Sequence, residues 1–172
     1  GLIQWQLPTQ SNKIVNESYN FKNSKLVKDK ETIFFSNNKN QFYSIDIKTG
    51  IPKWVNNVNS PLTPILVGEY IFTVSDDGYL YTIQKNQGNI IRINDIYKFY
   101  KEKKRNKTKP VGIIVGQDKL YLSNSDGNIL IIDLGSGKIL RIEKVSRNQI
   151  SKPFIYNESL FLIKNGSIIK YN

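Results

Sequence analysis

Residues 44–54 read Ser-Ile-Asp-Ile-Lys-Thr-Gly-Ile-Pro-Lys-Trp, and weaker copies of this stretch recur along the chain. In the clearest copy, Gly50 lies midway between Asp46 and Trp54. The same spacing recurs in three pairs: Gly1 with Trp5, Gln84 with Gly88, and Asp133 with Gly137. The four glycines lie 49, 38 and 49 residues apart. This period predicts a chain built from similar small units.

Each copy predicts a strand, a tight turn and a second strand. Phe42, Tyr43 and Ile45 belong to a run of strand-forming residues. Asp46 can accept hydrogen bonds from turn amides, and a glycine tolerates the positive φ that such a turn needs. A tryptophan on the outgoing strand can bury its ring against a neighbouring sheet and still donate its indole N–H. The motif is therefore interpreted as structural.

Four-stranded antiparallel units of roughly 40 to 50 residues are typical of β-propeller blades. The sequence predicts an all-β fold with blades near 24–58, 62–95, 111–145 and 152–172. Residues 1–7 are interpreted as the last strand of a preceding blade, and the final blade ends after its third strand. We therefore expect three complete blades plus parts of two. Residues 1–172 would form the carboxy-terminal half of a longer propeller, about half a ring.

Composition excludes some chemistry. The 172 residues include no cysteine and no histidine, so disulfides, thiolate nucleophiles and histidine bases are absent from this chain. The formal net charge of +11 is one that would attract nucleic acid or an anionic membrane. A compositional bias toward Lys, Asn and Ile explains the same charge without any partner. The sequence predicts no cofactor site and no metal site.

The repeated stretch resembles the tryptophan-docking motif of quinoprotein-like (PQQ-like) propellers, Ala-x-Asp-x-x-x-Gly-x-x-x-Trp. Ser44 stands in the alanine position, and the remaining copies depart further, with Gln84 in place of Asp and Arg92 and Arg141 in place of Trp. We expect the arginine stems to pack where tryptophan would, with their charged heads in solvent. A WD40 propeller is disfavoured because its Gly-His dipeptide cannot occur. The predicted structural residues are Trp5, Asp46, Gly50, Trp54, Gly88, Asp133 and Gly137.

Within this family the chain most resembles the non-catalytic BamB branch, the propeller lipoproteins of the outer-membrane β-barrel assembly machinery. That resemblance implies a periplasmic, outer-membrane-associated scaffold that binds the barrel-insertion subunit. Two alternatives stay open: a propeller dehydrogenase that uses pyrroloquinoline quinone and calcium, and a propeller that binds a small molecule or a glycan. The dehydrogenases often carry a vicinal cysteine pair, which this chain lacks.

The segment 97–109, Tyr-Lys-Phe-Tyr-Lys-Glu-Lys-Lys-Arg-Asn-Lys-Thr-Lys, is an insertion of about ten residues between two predicted blades. We call it the basic insertion. Its charge and aromatic content predict a contact surface for an acidic protein or for anionic lipid head groups; a solvated loop is the alternative, and nucleic acid is disfavoured. The candidate partner-binding residues are Tyr97, Phe99, Tyr100, Lys101, Lys103, Lys104, Arg105, Lys107 and Lys109.

Overall fold

A computed structural model describes residues 1–9, 23–37 and 40–171. Within these residues the chain forms fifteen strands and one short helix. The first blade contains β1 (Val27–Asp29), β2 (Thr32–Ser36), β3 (Phe42–Asp46) and β4 (Pro52–Asn56). The second contains β5 (Ile65–Val67), β6 (Tyr70–Val74), β7 (Tyr79–Gln84) and β8 (Ile90–Asp95). Helix α1 (Glu102–Lys107) follows within the basic insertion.

The third blade contains β9 (Pro110–Gly116), β10 (Lys119–Asn124), β11 (Asn128–Asp133) and β12 (Ile139–Lys144). The fourth contains β13 (Phe154–Tyr156), β14 (Ser159–Lys164) and β15 (Ser167–Tyr171). Each blade is a separate antiparallel sheet in which every strand pairs with the next along the chain. The prediction of an all-β propeller that forms a partial ring is confirmed.

One irregularity recurs in the three four-stranded blades. The pairing between the third and fourth strands shifts by one residue at Ser44/Ile45, at Thr82/Ile83 and at Ile131/Ile132. Each shift lies immediately before the turn that carries the repeated glycine. Such a bulge increases the local twist and redirects the outgoing strand. The repeated sequence therefore produces a repeated distortion as well as a repeated turn.

Apolar side chains fill the space between successive blades. Phe34 and Phe42 of the first blade pack with Ile71 and Ile83 of the second. A larger cluster joins the second blade to the third, and it includes Tyr97. A third cluster joins the third and fourth blades. Alternation along each strand gives every sheet two apolar faces, so that the blades stack face to face.

Residues 1–7 are not a strand, which corrects the sequence prediction. Trp5 and Leu7 pack against Phe35 and Tyr43 on the outer face of the first blade, while Leu2 is 89% exposed. An extended segment becomes a strand only when a neighbouring strand completes its hydrogen bonds, and no described strand lies beside this one. The segment therefore docks through its side chains alone.

Successive turns along each blade lie on opposite faces of the structure. The hairpins between the second and third strands, together with the connectors between blades, lie on what we call the insertion face. The turns between first and second strands and between third and fourth strands lie on the opposite face. This arrangement follows from the simple strand order within each blade. It places the basic insertion on one face and the repeated glycine turns on the other.

Candidate protein-binding surface

The tryptophan of one repeat docks on the glycine turn of the next. A Cβ added to Gly88 would lie 2.6 Å from Trp54 Cδ2, so the indole packs directly on the glycine. Trp54 Nε1 donates to the Lys85 carbonyl at 2.8 Å. Trp5 repeats this arrangement on Gly50, and its Nε1 donates to the Ile47 carbonyl at 2.9 Å. These residues connect adjacent blades.

The aspartates of the motif hold the turns. Asp46 Oδ1 accepts hydrogen bonds from the Lys48 and Thr49 backbone amides, both at 3.0 Å. Asp133 Oδ1 accepts from the Ser136 amide at 2.7 Å. Hydrogen bonds from Thr49 and from Ser136 lower the pKa of Asp46 and Asp133, respectively. Each carboxylate therefore stabilises the turn in which it lies by accepting hydrogen bonds from that turn's amides.

Arg92 replaces the docking tryptophan more fully than its sequence indicates. Its guanidinium donates to the carbonyls of Leu134 and Gly135 in the third blade. Leu134 lies three residues before Gly137, as Lys85 lies three residues before Gly88. The head group does more than reach solvent, as the sequence predicted, because Arg92 also donates to the same position of the turn as an indole would. Arg141 is exposed and pairs with Glu143 at 2.8 Å, on its own strand.

The basic insertion begins with a buried anchor. Tyr97 is fully buried, and its hydroxyl donates to Asn124 Oδ1 at 2.7 Å. Its ring packs on Gly78, where an added Cβ would lie 2.0 Å from Tyr97 Cδ2. Burial raises the pKa of the Tyr97 hydroxyl well above its ordinary value. Tyr97 therefore joins a hairpin of the second blade to one of the third.

A second tyrosine anchors the insertion to the third blade. Tyr100 is 9% exposed, and its hydroxyl donates to Asp126 Oδ2 at 2.8 Å. Asn128 Nδ2 donates to the Tyr100 hydroxyl at 3.0 Å, and burial raises the Tyr100 pKa. Phe99 packs against Tyr100 with 4.1 Å between ring centroids, yet remains 41% exposed. Only Phe99 among the three aromatic candidates offers substantial surface to a partner.

Three basic candidates are paired within the chain. Arg105 Nη1 bonds Asp95 Oδ2 at 2.8 Å. Lys104 Nζ lies 3.1 Å from Asp126 Oδ2. Lys109 Nζ donates to the Asp76 carbonyl at 3.3 Å. The structure thus assigns these three side chains to positioning the insertion over two hairpins.

The remaining basic candidates are Lys101, Lys103 and Lys107. All three are exposed, and their ammonium groups make no ion pair among the residues that the structure describes. With Lys104, Thr108, Ser125 and Asp126 they line a shallow depression of about 510 Å³. The depression is positively charged and lies on the insertion face. It can hold an acidic side chain or another anionic group.

The sequence interpretation missed the residues that fix this surface. Asn124, Asp126 and Asn128 belong to a hairpin of the third blade, and Asp95 ends β8. The burial of Tyr97 and Tyr100 was also missed, because their partners lie 27 and 26 residues away. The sequence did contain one signal for these contacts: an aromatic-rich insertion is predicted on the same face as hairpins with polar residues. Spacing alone does not identify such contacts.

Two further observations concern the described residues only. No group of three or more Asp and Glu side chains among them lies in an arrangement that could hold a metal ion. No helix in this part of the chain has the length and apolar character needed to cross a membrane.

The fold and its docking motif define a β-propeller with tryptophan-docked blades. Residues 1–94, more than half of the chain, match the family described as outer membrane protein assembly factor BamB. The chain belongs to this PQQ-like propeller family, as the motif predicted. No curated protein gives a significant sequence match. Family membership suggests protein–protein interaction.

Solved structures agree with this assignment at the level of fold. BamB from Moraxella catarrhalis is 15% identical with a TM-score of 0.53, and the match covers 97% of this chain and 62% of that one. Sqt1 from Saccharomyces cerevisiae is 15% identical with a TM-score of 0.70, covering 82% and 42% of the two chains. Quinohemoprotein alcohol dehydrogenase from Comamonas testosteroni is 15% identical with a TM-score of 0.58, covering 70% and 20%. The chain spans less than two thirds of each of these proteins.

Proposed function

We propose that this chain is part of a non-catalytic propeller scaffold that binds an acidic protein surface through the basic insertion. In the finer form of the proposal, the scaffold works in the periplasm in the assembly of outer-membrane β-barrel proteins, and its partner is the barrel-insertion subunit. The family assignment supports this class of function. One observation carries the proposal: a loop fixed by two buried tyrosines presents three exposed lysines that have no ion-pair partner among the described residues.

The proposed mechanism is rigid presentation of charge. Tyr97 and Tyr100 hold the insertion across two blades, so Lys101, Lys103 and Lys107 lose little additional backbone freedom when a partner binds. Their charges would accelerate encounter with an acidic surface, and this effect would weaken as salt increases. The exposed part of Phe99 would supply an apolar contact beside the charges.

The test uses two variants with equal charge loss. In the first variant Lys101, Lys103 and Lys107 become Ser; in the control, Lys28, Lys138 and Lys170 become Ser. The control lysines are exposed and lie in or near the turns of the opposite face. Surface plasmon resonance would measure binding of each protein to the purified barrel-insertion subunit at several salt concentrations. We expect the first variant to bind about tenfold more weakly or worse, and the control to bind as wild type does.

An equal loss of binding affinity in both variants would show that only net charge matters, and it would refute a localised binding site. Binding to vesicles that contain anionic lipid, with none to the protein partner, would instead support a membrane surface as the ligand of the insertion. The alternative of a quinone-dependent dehydrogenase predicts a saturable absorbance change when pyrroloquinoline quinone and calcium are added, together with alcohol oxidation.

A further inference from the structure

Asn165 and Gly166 form the turn between β14 and β15 of the fourth blade. They are the only Asn-Gly dipeptide in the chain. Both residues are exposed, and their φ values are +48° and +75°, respectively. Such values are typical of the tight turn that Asn-Gly favours between two antiparallel strands. The dipeptide therefore closes the hairpin, and its exposure also leaves the asparagine side chain open to solvent.

The backbone amide that follows this asparagine is uncovered. The Gly166 amide donates no hydrogen bond to any of the described residues. A Cβ added to Gly166 would meet nothing within 4 Å, so the space beside the glycine is open. A glycine also has no side chain of its own to crowd its nitrogen. This amide nitrogen can therefore react once it reaches the asparagine side chain.

The corresponding hairpins of the second and third blades are covered. The Gly78 amide donates to the Ser75 carbonyl at 3.0 Å, and the Tyr97 ring packs on the glycine. The Gly127 amide donates to the Asn124 carbonyl at 3.0 Å, and backbone carbonyls of the following loop crowd the position of an added Cβ. Of these three turns, the fourth-blade turn is the one whose glycine amide is free.

Reaction at this dipeptide requires the turn to open. In the left-handed conformation, the Cβ of Asn165 lies on the side of the Cα–C bond away from the next amide nitrogen, so the side chain and the nitrogen do not meet. Among the described strands β15 pairs only with β14, and the pair Lys164 and Ser167 is the last before the turn. The tip of such a hairpin opens locally at a small cost in free energy. Opening at Gly78 would also displace the Tyr97 ring.

We propose that Asn165 is a site of spontaneous deamidation. The Gly166 amide nitrogen gives its proton to solvent base and attacks Asn165 Cγ, and the new C–N bond closes a five-membered succinimide ring. The Cγ–Nδ2 bond breaks, and Nδ2 leaves as ammonia after it takes a proton from water. Water then opens the ring at either carbonyl and produces aspartate or isoaspartate. Each event adds a carboxylate and lowers the formal net charge of +11 by one.

The experiment compares two Asn-Gly dipeptides within one protein. Asp77→Asn creates the second dipeptide at an exposed position, in the turn where the Gly78 amide is hydrogen-bonded and covered by the Tyr97 ring. The variant would be incubated in mildly alkaline buffer for several days, digested at low pH and analysed by liquid chromatography and mass spectrometry. A parallel sample in urea would give the rates without the fold.

We expect the peptide that contains Asn165 to gain about 1 Da and to elute as two products, aspartate and isoaspartate. In the folded protein this gain should be about tenfold or more faster than that of the peptide that contains position 77. In urea the two rates should be similar, because neither turn persists. In Asn165→Gln the gain at position 165 should disappear, since the longer side chain would have to close a six-membered ring.

Two results would overturn the proposal. If the peptide with Asn165 gains no mass in the folded protein while it does so in urea, the folded hairpin does not open and Asn165 is not a modification site. If positions 77 and 165 react at equal rates in the folded protein, the coverage of the glycine amide does not decide the reaction. If Asp77→Asn fails to fold, wild type and Asn165→Gln, each with and without urea, still test the first result. The proposal is independent of partner binding by the basic insertion.

Discussion

Comparing Gly78→Ala with Gly166→Ala should distinguish two causes of destabilisation: the contact of a new Cβ with the Tyr97 ring, and the backbone strain of alanine at a positive φ. Gly78 has φ +80° and lies in the hairpin between β6 and β7, beneath the ring of Tyr97. Gly166 occupies the corresponding hairpin of the fourth blade with φ +75°, and an added Cβ there meets nothing within 4 Å. Alanine imposes nearly the same backbone strain at both positions. The two substitutions therefore differ chiefly in the contact with Tyr97.

The structure gives the expected difference. At either position, alanine in the left-handed region costs about 1–2 kcal/mol. At Gly78 the new Cβ would lie 2.0 Å from Tyr97 Cδ2, so the ring must move by more than 1 Å to reach an ordinary contact of 3.4 Å or more. Overpacking and strain on the buried hydroxyl bond to Asn124 should add about 2 kcal/mol or more.

Urea denaturation followed by circular dichroism would measure the free energy of unfolding of wild type and both variants. We expect the free energy of unfolding of Gly78→Ala to be lower than that of Gly166→Ala by about 2 kcal/mol or more, the excess caused by the Tyr97 ring. In a Tyr97→Ala background the excess should disappear, because the ring that the Cβ meets is absent. Equal destabilisation by the two single substitutions would refute the reasoning, since Tyr97 would then not be held against Gly78.

The other predictions concern the ionisation of Tyr97 and the docking of Trp54. Burial raises the Tyr97 pKa above 10.0, so the folded protein keeps a proton that the unfolded chain loses at higher pH. Above about pH 10 the free energy of unfolding should therefore fall about 1.4 kcal/mol per pH unit more steeply in wild type than in Tyr97→Phe. Equal slopes in alkaline urea titrations would contradict this. Trp54→Phe removes the hydrogen bond to the Lys85 carbonyl and should cost about 1–2 kcal/mol in the same assay; unchanged stability would show that the bond contributes nothing.

Local chemistry made most of the fold predictable. The run of strand-forming residues that includes Phe42, Tyr43 and Ile45 forms the third strand of the first blade, Phe42–Asp46, because these residues and the turn signals of Asp46 and Gly50 lie within one short stretch. Residues 1–7 show the limit of this reasoning. Their sequence favours a strand, but a strand also requires a neighbour, and sequence composition does not report whether a neighbour is present.

The basic insertion was visible in the sequence, but the sequence did not show which of its side chains are buried, which are paired and which are exposed. Lys104 and Lys107 look equivalent in the sequence, yet only Lys104 reaches the Asp126 carboxylate. Tyr97 and Phe99 are both aromatic, yet one is fully buried and the other is 41% exposed. These differences arise from contacts between blades, which depend on three-dimensional packing. Counting charges overstated the number of side chains available to a partner.

The proposed binding surface lies where the chain departs from its own repeat. In the repeated positions, Asp46, Gly50 and Trp54 use their hydrogen-bonding groups and packing surfaces to close turns and to connect blades. A side chain used in this way has little capacity left for a ligand. The basic insertion has no counterpart in the other connectors. Exposed lysines that have no ion-pair partner among the described residues are therefore left at the place where the chain departs from its repeat. Because Trp54 docks on a turn of the opposite face, Trp54→Phe should lower the free energy of unfolding but leave binding by the insertion unchanged.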